Sequence, residues 1–600
     1  MVDGVPAIPL DLAQRLNRYT EFRSAAAWDW HPTRRAMLIG TRFADATQAH
    51  AVAAPGADRR QLTFFPDRVL GARYEPAGGG RYLVVLKDVG GDEFFQSYRV
   101  DLETGDITLI TDGKSRNSAG VFSTDGRRIA YGSTRRNGRD IDIFVAEPAR
   151  AGSERMVAQL TGNGWGVEDW SPDDSRLLLM NGISVNESYL SLLDLTTGER
   201  VELTPREGRD TVAYGAAEFA PDGRGIYATT DRGSEFQRLA YLDLGTRRWR
   251  TVTPELPWDV DAFDVAPDGR TIALVTNEDG VGVMRFVDAA SGRVTPGPAL
   301  PKGVVSGVRW RPDSREVAFS LASARTPSDV YSYEPATRKL ERWTFSETAG
   351  LNAERFVEPE LVKWTSFDGR QISGFLYKPP ARFTGKRPVI VSIHGGPEGQ
   401  SRPGFIGASN YYLNEAGAAV IYPNIRGSTG YGKSYAKADN RQLREGAYKD
   451  IAALFDWIAT RPDLDATRIM VTGGSYGGHM VLAVASMFPE RISAAVDVVG
   501  ISSLTTFLQN TSPYRQDLRR AEYGDERDPA MRAWFERTAP LNNAERITKP
   551  LLVVQGGNDP RVPRTESLQI VERVRRRGTP VWYLEAKDEG HGFAKKGNQA

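Results

Sequence analysis

The sequence contains no cysteine. That removes disulfide bonds, cysteine–zinc sites and thiol nucleophiles, and it suits a reducing compartment, so a cytoplasmic location is expected. Histidine is scarce. His31, His50, His394, His479 and His591 are the only five, and any mechanism that needs an imidazole must use one of them. Neither charge dominates: 77 basic residues face 76 acidic ones, for a net charge of +1. Nucleic acid is therefore not an expected partner. No stretch approaches the roughly 18 continuous apolar residues of a membrane span. The start, MVDGVPAIPLDLAQRLNRYT, has no basic segment followed by an apolar run, so neither a membrane nor a secretory leader is expected. No cluster with metal-ligand spacing is visible, and no metal or cofactor is expected.

What is present is ordinary in kind and large in amount. Apolar residues make up 40% and charged residues 26% of 600 residues. That length exceeds what one hydrophobic core usually serves, so at least two domains are expected.

The first half repeats. WDWHPTRRAMLIG, YEPAGGGRYLVVL, FSTDGRRIAYGS, WSPDDSRLLLMN, FAPDGRGIYATT, VAPDGRTIALVT and WRPDSREVAFSL follow one another at intervals of 44 to 49 residues. Pro-Asp-Gly is a turn: proline presets φ, aspartate bonds nearby backbone and glycine accepts positive φ. An alternating apolar strand follows each turn, and a second strand such as SYRVDLETGD follows that. Four short strands fit one such interval, which is the signature of a β-propeller with one blade per repeat and seven blades. The propeller is expected over residues 21–355. Residues 1–20, with LDLAQRLNRY at helical spacing, form a helical extension suited to packing on the second domain.

From 356 to 600 the pattern changes. A hairpin around Asp368-Gly369 is followed by apolar strands (PVIVSIHG, AAVIYPN, RIMVTGG, AAVDVVG, PLLVVQG, PVWYLEAKD) that alternate with helices such as KDIAALFDWIATR. This predicts a mostly parallel, doubly wound sheet, as in an α/β-hydrolase domain.

Gly473-Gly474-Ser475-Tyr476-Gly477 is a G-x-S-x-G elbow in its strand–turn–helix setting. A serine hydroxyl needs a base, and the base needs an orienting acid. In this fold the chain order is serine, acid, histidine. Only His479 and His591 follow Ser475. His479 lies one turn along the same helix and reads as a packed residue. His591, in KDEGHGF after the last strand, is the candidate base. Asp559, in GGNDPRVP at the end of a strand, is the candidate acid. Asp588 and Glu589 are its rivals by proximity and read better as shapers of the histidine turn. The oxyanion needs two donors. They are expected from the backbone N–H of Tyr476 and from Gly395 or Gly396 in IHGGPEG, with Gly396 preferred. His394 is read as structural.

With IHGGPEGQ, NIRGSTGYGKSY, GGSYGG, GGNDPRVP and DEGHGF on the page, the chain resembles serine peptidases of the prolyl oligopeptidase family over nearly its whole length. Its HGGP form is closest to acylaminoacyl-peptidases and bacterial dipeptidyl-peptidase-like members. The resemblance implies a Ser475–Asp559–His591 triad and an oxyanion donor from HGGP. It also implies an S1 pocket from Tyr476, Ile501, Leu504, Phe507 and Val562, and a substrate-carbonyl arginine at Arg537. Dipeptidyl-peptidases of the family hold the substrate amine with paired acids from the propeller side; Asp92-Glu93 and Glu235 are counterparts whose placement the sequence leaves open. The chain ends nine residues after His591, where members of the family usually continue into a final helix over the last strand.

The reading is a serine peptidase that cleaves short peptides through an acyl-enzyme, with the propeller limiting substrate size. Whether it works in acylaminoacyl-peptidase, dipeptidyl-peptidase or oligopeptidase mode is open, as is homo-oligomerisation. The alternatives are an esterase on small acyl esters, and a propeller interaction protein with an inactive hydrolase half.

Overall fold

Each copy of the repeat becomes one four-stranded antiparallel sheet in the computed structural model, which describes residues 1–599 except 207 and 209. The seven sheets run over residues 25–61, 69–109, 121–158, 165–202, 214–251, 259–296 and 303–342. They are the blades of a seven-bladed propeller. The second strand of a blade is covered on both faces, which is why MLIGT, IAYGS and GIYATT read as nearly continuous small or apolar runs and are buried throughout. The outermost strand is short and solvated, as at Arg200–Glu202, which blunts the blade edge against further pairing.

The Pro-Asp-Gly turns need positive φ. Gly126, Gly223 and Gly269 lie at φ +69°, +69° and +71°. Two copies put Asp174 (φ 57°) and Ser314 (φ 61°) at that place instead. Their side chains offset the strain by reaching the preceding blade. Asp174 accepts the N–H groups of Thr124 (2.6 Å) and Asp125 (2.9 Å), and Ser314 Oγ accepts that of Asp268 (3.0 Å).

Neighbouring blades are stitched by one recurring position on the innermost strand. Carboxylates of Asp29, Asp169, Glu218 and Asp264 accept the N–H of Tyr74, Phe219, Val265 and Trp310 on the following blade. No strand is shared between the first and last blades. There the ring closes through side chains. Arg309 Nε donates to Asp29 Oδ1 at 3.0 Å, and Trp30 Nε1 donates to Arg309 O at 3.0 Å.

The second half is one nine-stranded sheet. Its order is Val2–Asp3, Val581–Ala586, Leu551–Gly556, Ala494–Val498, Leu464–Gly474, Arg387–Ile393, Ala419–Asn424, Gln371–Tyr377 and Glu360–Thr365. The six strands from Val581–Ala586 to Ala419–Asn424 are mutually parallel, and each of the outer three pairs antiparallel with its inner neighbour, giving the α/β-hydrolase architecture. Helices Glu445–Thr460, Tyr476–Met487 and Arg564–Arg575 bury their apolar faces on this sheet in one continuous core. The extension 1–20 contains the expected helix, Leu10–Thr20. Its Tyr19 donates to Glu415 (2.7 Å) and meets Tyr411 edge-on. The same extension also supplies an edge strand, Val2–Asp3, paired with Leu584 and Tyr583. Two residues carry no period, so the sequence does not announce that strand. Among the described residues no helix is long and apolar enough to cross a membrane.

Candidate active site

Strand Leu464–Gly474 runs into a sharp turn at Ser475, and helix Tyr476–Met487 begins at once. Ser475 sits at φ 60°, ψ −120°, a strained state for a residue with a side chain. It is held by Ser475 N–H to Val498 O (2.9 Å) and His479 N–H to Ser475 O (3.0 Å). Space demands the surrounding glycines. A Cβ on Gly473 would lie 2.6 Å from Gly477 O, and one on Gly477 would lie 2.1 Å from Ile393 O. Helix and strands cross too closely there for any side chain.

Asp559 lies in the turn that leaves strand Leu551–Gly556, and His591 in the loop after strand Val581–Ala586. His591 Nδ1 and Asp559 Oδ2 are 2.7 Å apart. Asp559 Oδ1 accepts the N–H groups of Arg561 (2.8 Å) and Val562 (3.0 Å), so the buried carboxylate is fixed on both oxygens. Glu589 accepts the N–H groups of Ala594 and Lys595, and Asp588 bonds Lys595. Both therefore shape the loop. Ser475 and His591 line one cavity of about 240 Å³. Among the described residues no hydrogen bond joins them.

Gly395 and Gly396 line the same cavity. A Cβ on Gly395 would come within 3.3 Å of Ser475 Cβ, so this loop passes directly beside the elbow. His394 holds this loop, with Nε2 2.8 Å from Ser428 Oγ and Nδ1 2.9 Å from Gly395 O. Tyr476 opens the elbow helix, and the first N–H groups of a helix have no partner within it. Its side chain is buried and donates to Asp439 Oδ2 at 3.1 Å. His479 is packed as expected: Nδ1 bonds Ile501 O (2.9 Å), Nε2 bonds the Tyr448 hydroxyl (2.8 Å), and burial lowers its pKa to about 4.

Ile501, Phe507 and Val562 line the cavity. Leu504 does not; it is buried in the same hydrophobic core away from the cavity. Arg537 is also elsewhere. Its side chain is 67% exposed and pairs with Glu445 at 2.8 Å. The arginines that line the cavity are Arg515, Arg519 and Arg561, together with Tyr523. Two signals point to them in the sequence. Arg561 follows the acid by two residues in DPRVP, and Arg515 and Arg519 share a helix face at i, i+4 spacing. Arg519 Nη1 donates to Gly396 O (3.1 Å) and Glu522 (2.8 Å) and pairs with Glu398 (3.4 Å), while Tyr523 OH donates to Gly396 O (3.3 Å).

The propeller reaches this site. The blade-two loop brings Glu93 to 2.5 Å from Arg561 Nε, and Gly90 O accepts from Asn558 at 3.0 Å. A Cβ on Gly590, beside His591, would lie 1.8 Å from Gly91 O. Asp92 caps Phe94 N–H in the same loop. Glu235 sits in a second interdomain cavity with Asp231, Asp259 and Lys433, where it accepts from Ser434 N–H.

Residues 404–600 match the prolyl oligopeptidase family model. Over 542 residues the chain is 29% identical to dipeptidyl aminopeptidase BIII of Pseudoxanthomonas mexicana, covering 86% of this chain and 76% of that protein. The chain is a serine peptidase with a prolyl oligopeptidase family domain over residues 404–600. A further family relative, dipeptidyl peptidase family member 6 of Caenorhabditis elegans, is 32% identical over 333 residues, half of this chain and 43% of that one. Among solved structures, a puromycin hydrolase superposes with a TM-score of 0.84 at 20% identity, covering 99% of this peptidase and 95% of that chain. A prolyl endopeptidase structure gives 0.86 at 18% identity, covering 98% and 89%. At these identities the two structures speak to the fold, which they share with this peptidase from end to end.

Proposed function

We propose that this peptidase hydrolyses short peptides through Ser475, His591 and Asp559. The observation that carries the reading is the 2.7 Å Asp559–His591 pair, whose histidine lines one cavity with the strained elbow serine. The Asp559 carboxylate holds the Nδ1 proton of His591, which leaves Nε2 to take the Ser475 proton. Ser475 Oγ adds to the substrate carbonyl, and the oxyanion forms against the N–H of Tyr476 and the N–H of the Gly395–Gly396 loop. His591 then protonates the leaving amine, and an acyl-enzyme on Ser475 remains. Water, activated by the same imidazole, hydrolyses it.

Of the modes open to the family, removal of dipeptides from the amino terminus is the one we infer, because the relative matched over 86% of the chain carries that activity in its name. The propeller over the site favours short, flexible substrates, and a cysteine-free chain suits the cytoplasm. Ser475→Ala, Asp559→Asn and His591→Ala should each lower kcat on a short peptide by about 10⁴-fold or more. Product analysis on a mixed peptide library tests the mode: dipeptides should be released in sequence from free amino termini. Internal cuts, or release of single blocked residues, would replace it with one of the other modes.

A further inference from the structure

The three arginines of the catalytic cavity are not equivalent. Arg561 is paired with Glu93 at 2.5 Å. Arg519 is paired with Glu522 at 2.8 Å and Glu398 at 3.4 Å. Arg515 has neither kind of partner. Its Nε is buried with no hydrogen-bond acceptor, and among the described residues no carboxylate pairs with its guanidinium. Its surroundings make this costly. Burial comes first, and then the charges of Arg519 and Arg561; together they lower its pKa to about 10. It therefore stays a cation at neutral pH.

A guanidinium presents five donors in a fixed fork that matches a carboxylate. Leaving such a group half-buried and unmatched is unfavourable unless something else supplies the acceptor. The acid whose charge favours its cationic form is Glu93. That carboxylate is already engaged, by Arg561 on one oxygen and by the Tyr514 hydroxyl (3.4 Å) on the other. Nor is the acid pair on Arg519 free to turn. Both carboxyls are buried. Burial holds Glu522 well above the ordinary carboxylate range, while at Glu398 the hydrogen bond with Glu522 and the Arg519 charge outweigh burial. That pair is closed on itself and on the Gly396 loop.

Arg515 opens instead onto the cavity that Ser475, His591, Ile501, Phe507 and Val562 also line. An apolar wall beside one unmatched fork is suited to a group with an aliphatic stem and a carboxylate end. We propose that Arg515 reads a carboxylate of the substrate next to the scissile bond, either the acidic side chain of the residue whose carbonyl Ser475 attacks or the free C terminus of a very short peptide. The proposal rests on the serine-peptidase reading above and deepens it to a substrate class.

The test uses the full-length protein and two matched substrate pairs. One pair differs only by Glu against Gln at the residue before the scissile bond. The other is a tripeptide with a free C-terminal carboxylate against its C-terminal amide. Fluorophosphonate labelling of each protein shows that the site is formed. Wild type should prefer the carboxylate member of one pair by at least about tenfold in kcat/KM. Arg515→Gln should bring that ratio close to one, and Arg515→Lys should restore part of it. The pair that responds identifies the source of the carboxylate. Equal rates on both pairs in the labelled wild-type protein would overturn the carboxylate proposal and leave the peptidase reading intact, as would an unchanged ratio in labelled Arg515→Gln. Failure of the wild-type protein to label or to cut any of the four peptides would instead overturn the peptidase reading on which the proposal rests.

Discussion

Glu93 of the second propeller blade and Arg561 of the candidate acid's turn meet at 2.5 Å across 468 residues of sequence. Arg561 N–H also donates to Asp559. One residue therefore links the propeller to the carboxylate paired with His591.

This contact makes the propeller part of the site's alignment. Glu93→Gln should lower kcat/KM on a short peptide by about tenfold, because displacements well under the size of a bond matter to a reacting geometry. Gly91→Ala should do more. Gly91 lies at φ +77°, and an added Cβ would sit 2.4 Å from Gly590 N, next to His591. Steady-state kinetics on one peptide checks both. Wild-type kcat/KM in Gly91→Ala would show that the blade-two loop does not set the histidine loop.

The elbow should tolerate nothing larger than glycine at Gly477, where a Cβ would lie 2.1 Å from Ile393 O. Relief requires the strand and the helix to part. Gly477→Ala should cost about 1–3 kcal/mol or more of stability and reduce labelling of Ser475 by a fluorophosphonate. Thermal melts and labelling rates measure the two effects, and a variant that melts and labels like wild type would show that the crossing has slack.

Asp497 lies fully buried behind the elbow, with no cation among the described residues paired to its carboxylate and only the backbone N–H of Gly500 to favour its charged form. Burial, with the Glu566 charge adding to it, raises its pKa to about 7, from about 3.9 in an unfolded chain. The folded state thus binds a proton that the unfolded state has lost. Its contribution is fully present below about pH 4 and is lost as pH rises to about 7. Asp497→Asn removes this dependence. The melting-temperature difference between Asp497→Asn and wild type should therefore grow in the variant's favour from pH 4 to pH 8. A difference that stays constant with pH would mean that Asp497 is not held protonated.

The propeller ring has one weak seam. Blades one and seven share no strand, and Arg309–Asp29 at 3.0 Å spans the gap. Arg309→Met should speed proteolytic cleavage within residues 21–355 under native conditions. Unaltered cleavage kinetics would show that the remaining contacts of the seam suffice.

Much of this was legible because the relevant physics is local. A turn segment related to Pro-Asp-Gly, recurring every 44 to 49 residues and followed by an apolar strand, announces blades, and a serine among glycines between strand and helix announces an elbow. The order serine, aspartate, histidine brought Ser475, Asp559 and His591 into one neighbourhood. What escaped was long-range. Arg537 resembles a substrate arginine only through its local sequence, and its helix points it at Glu445. Leu504 shares the apolar character of its neighbours Ile501 and Phe507, and all three join the core, but only those neighbours also line the cavity. The Glu93–Arg561 pair and the Val2–Asp3 edge strand join chain segments more than 400 residues apart, and nothing in either segment alone encodes the partner.

The central claim is that Ser475 is the nucleophile. Its most direct measurement is mass-spectrometric mapping of the residue modified by a fluorophosphonate in the native protein. The account predicts a single adduct on Ser475, absent in His591→Ala and in heat-denatured protein, with loss of peptidase activity in proportion to labelling. Peptide hydrolysis that persists after Ser475 is fully modified, or an adduct on a different serine that tracks the loss of activity, would contradict it.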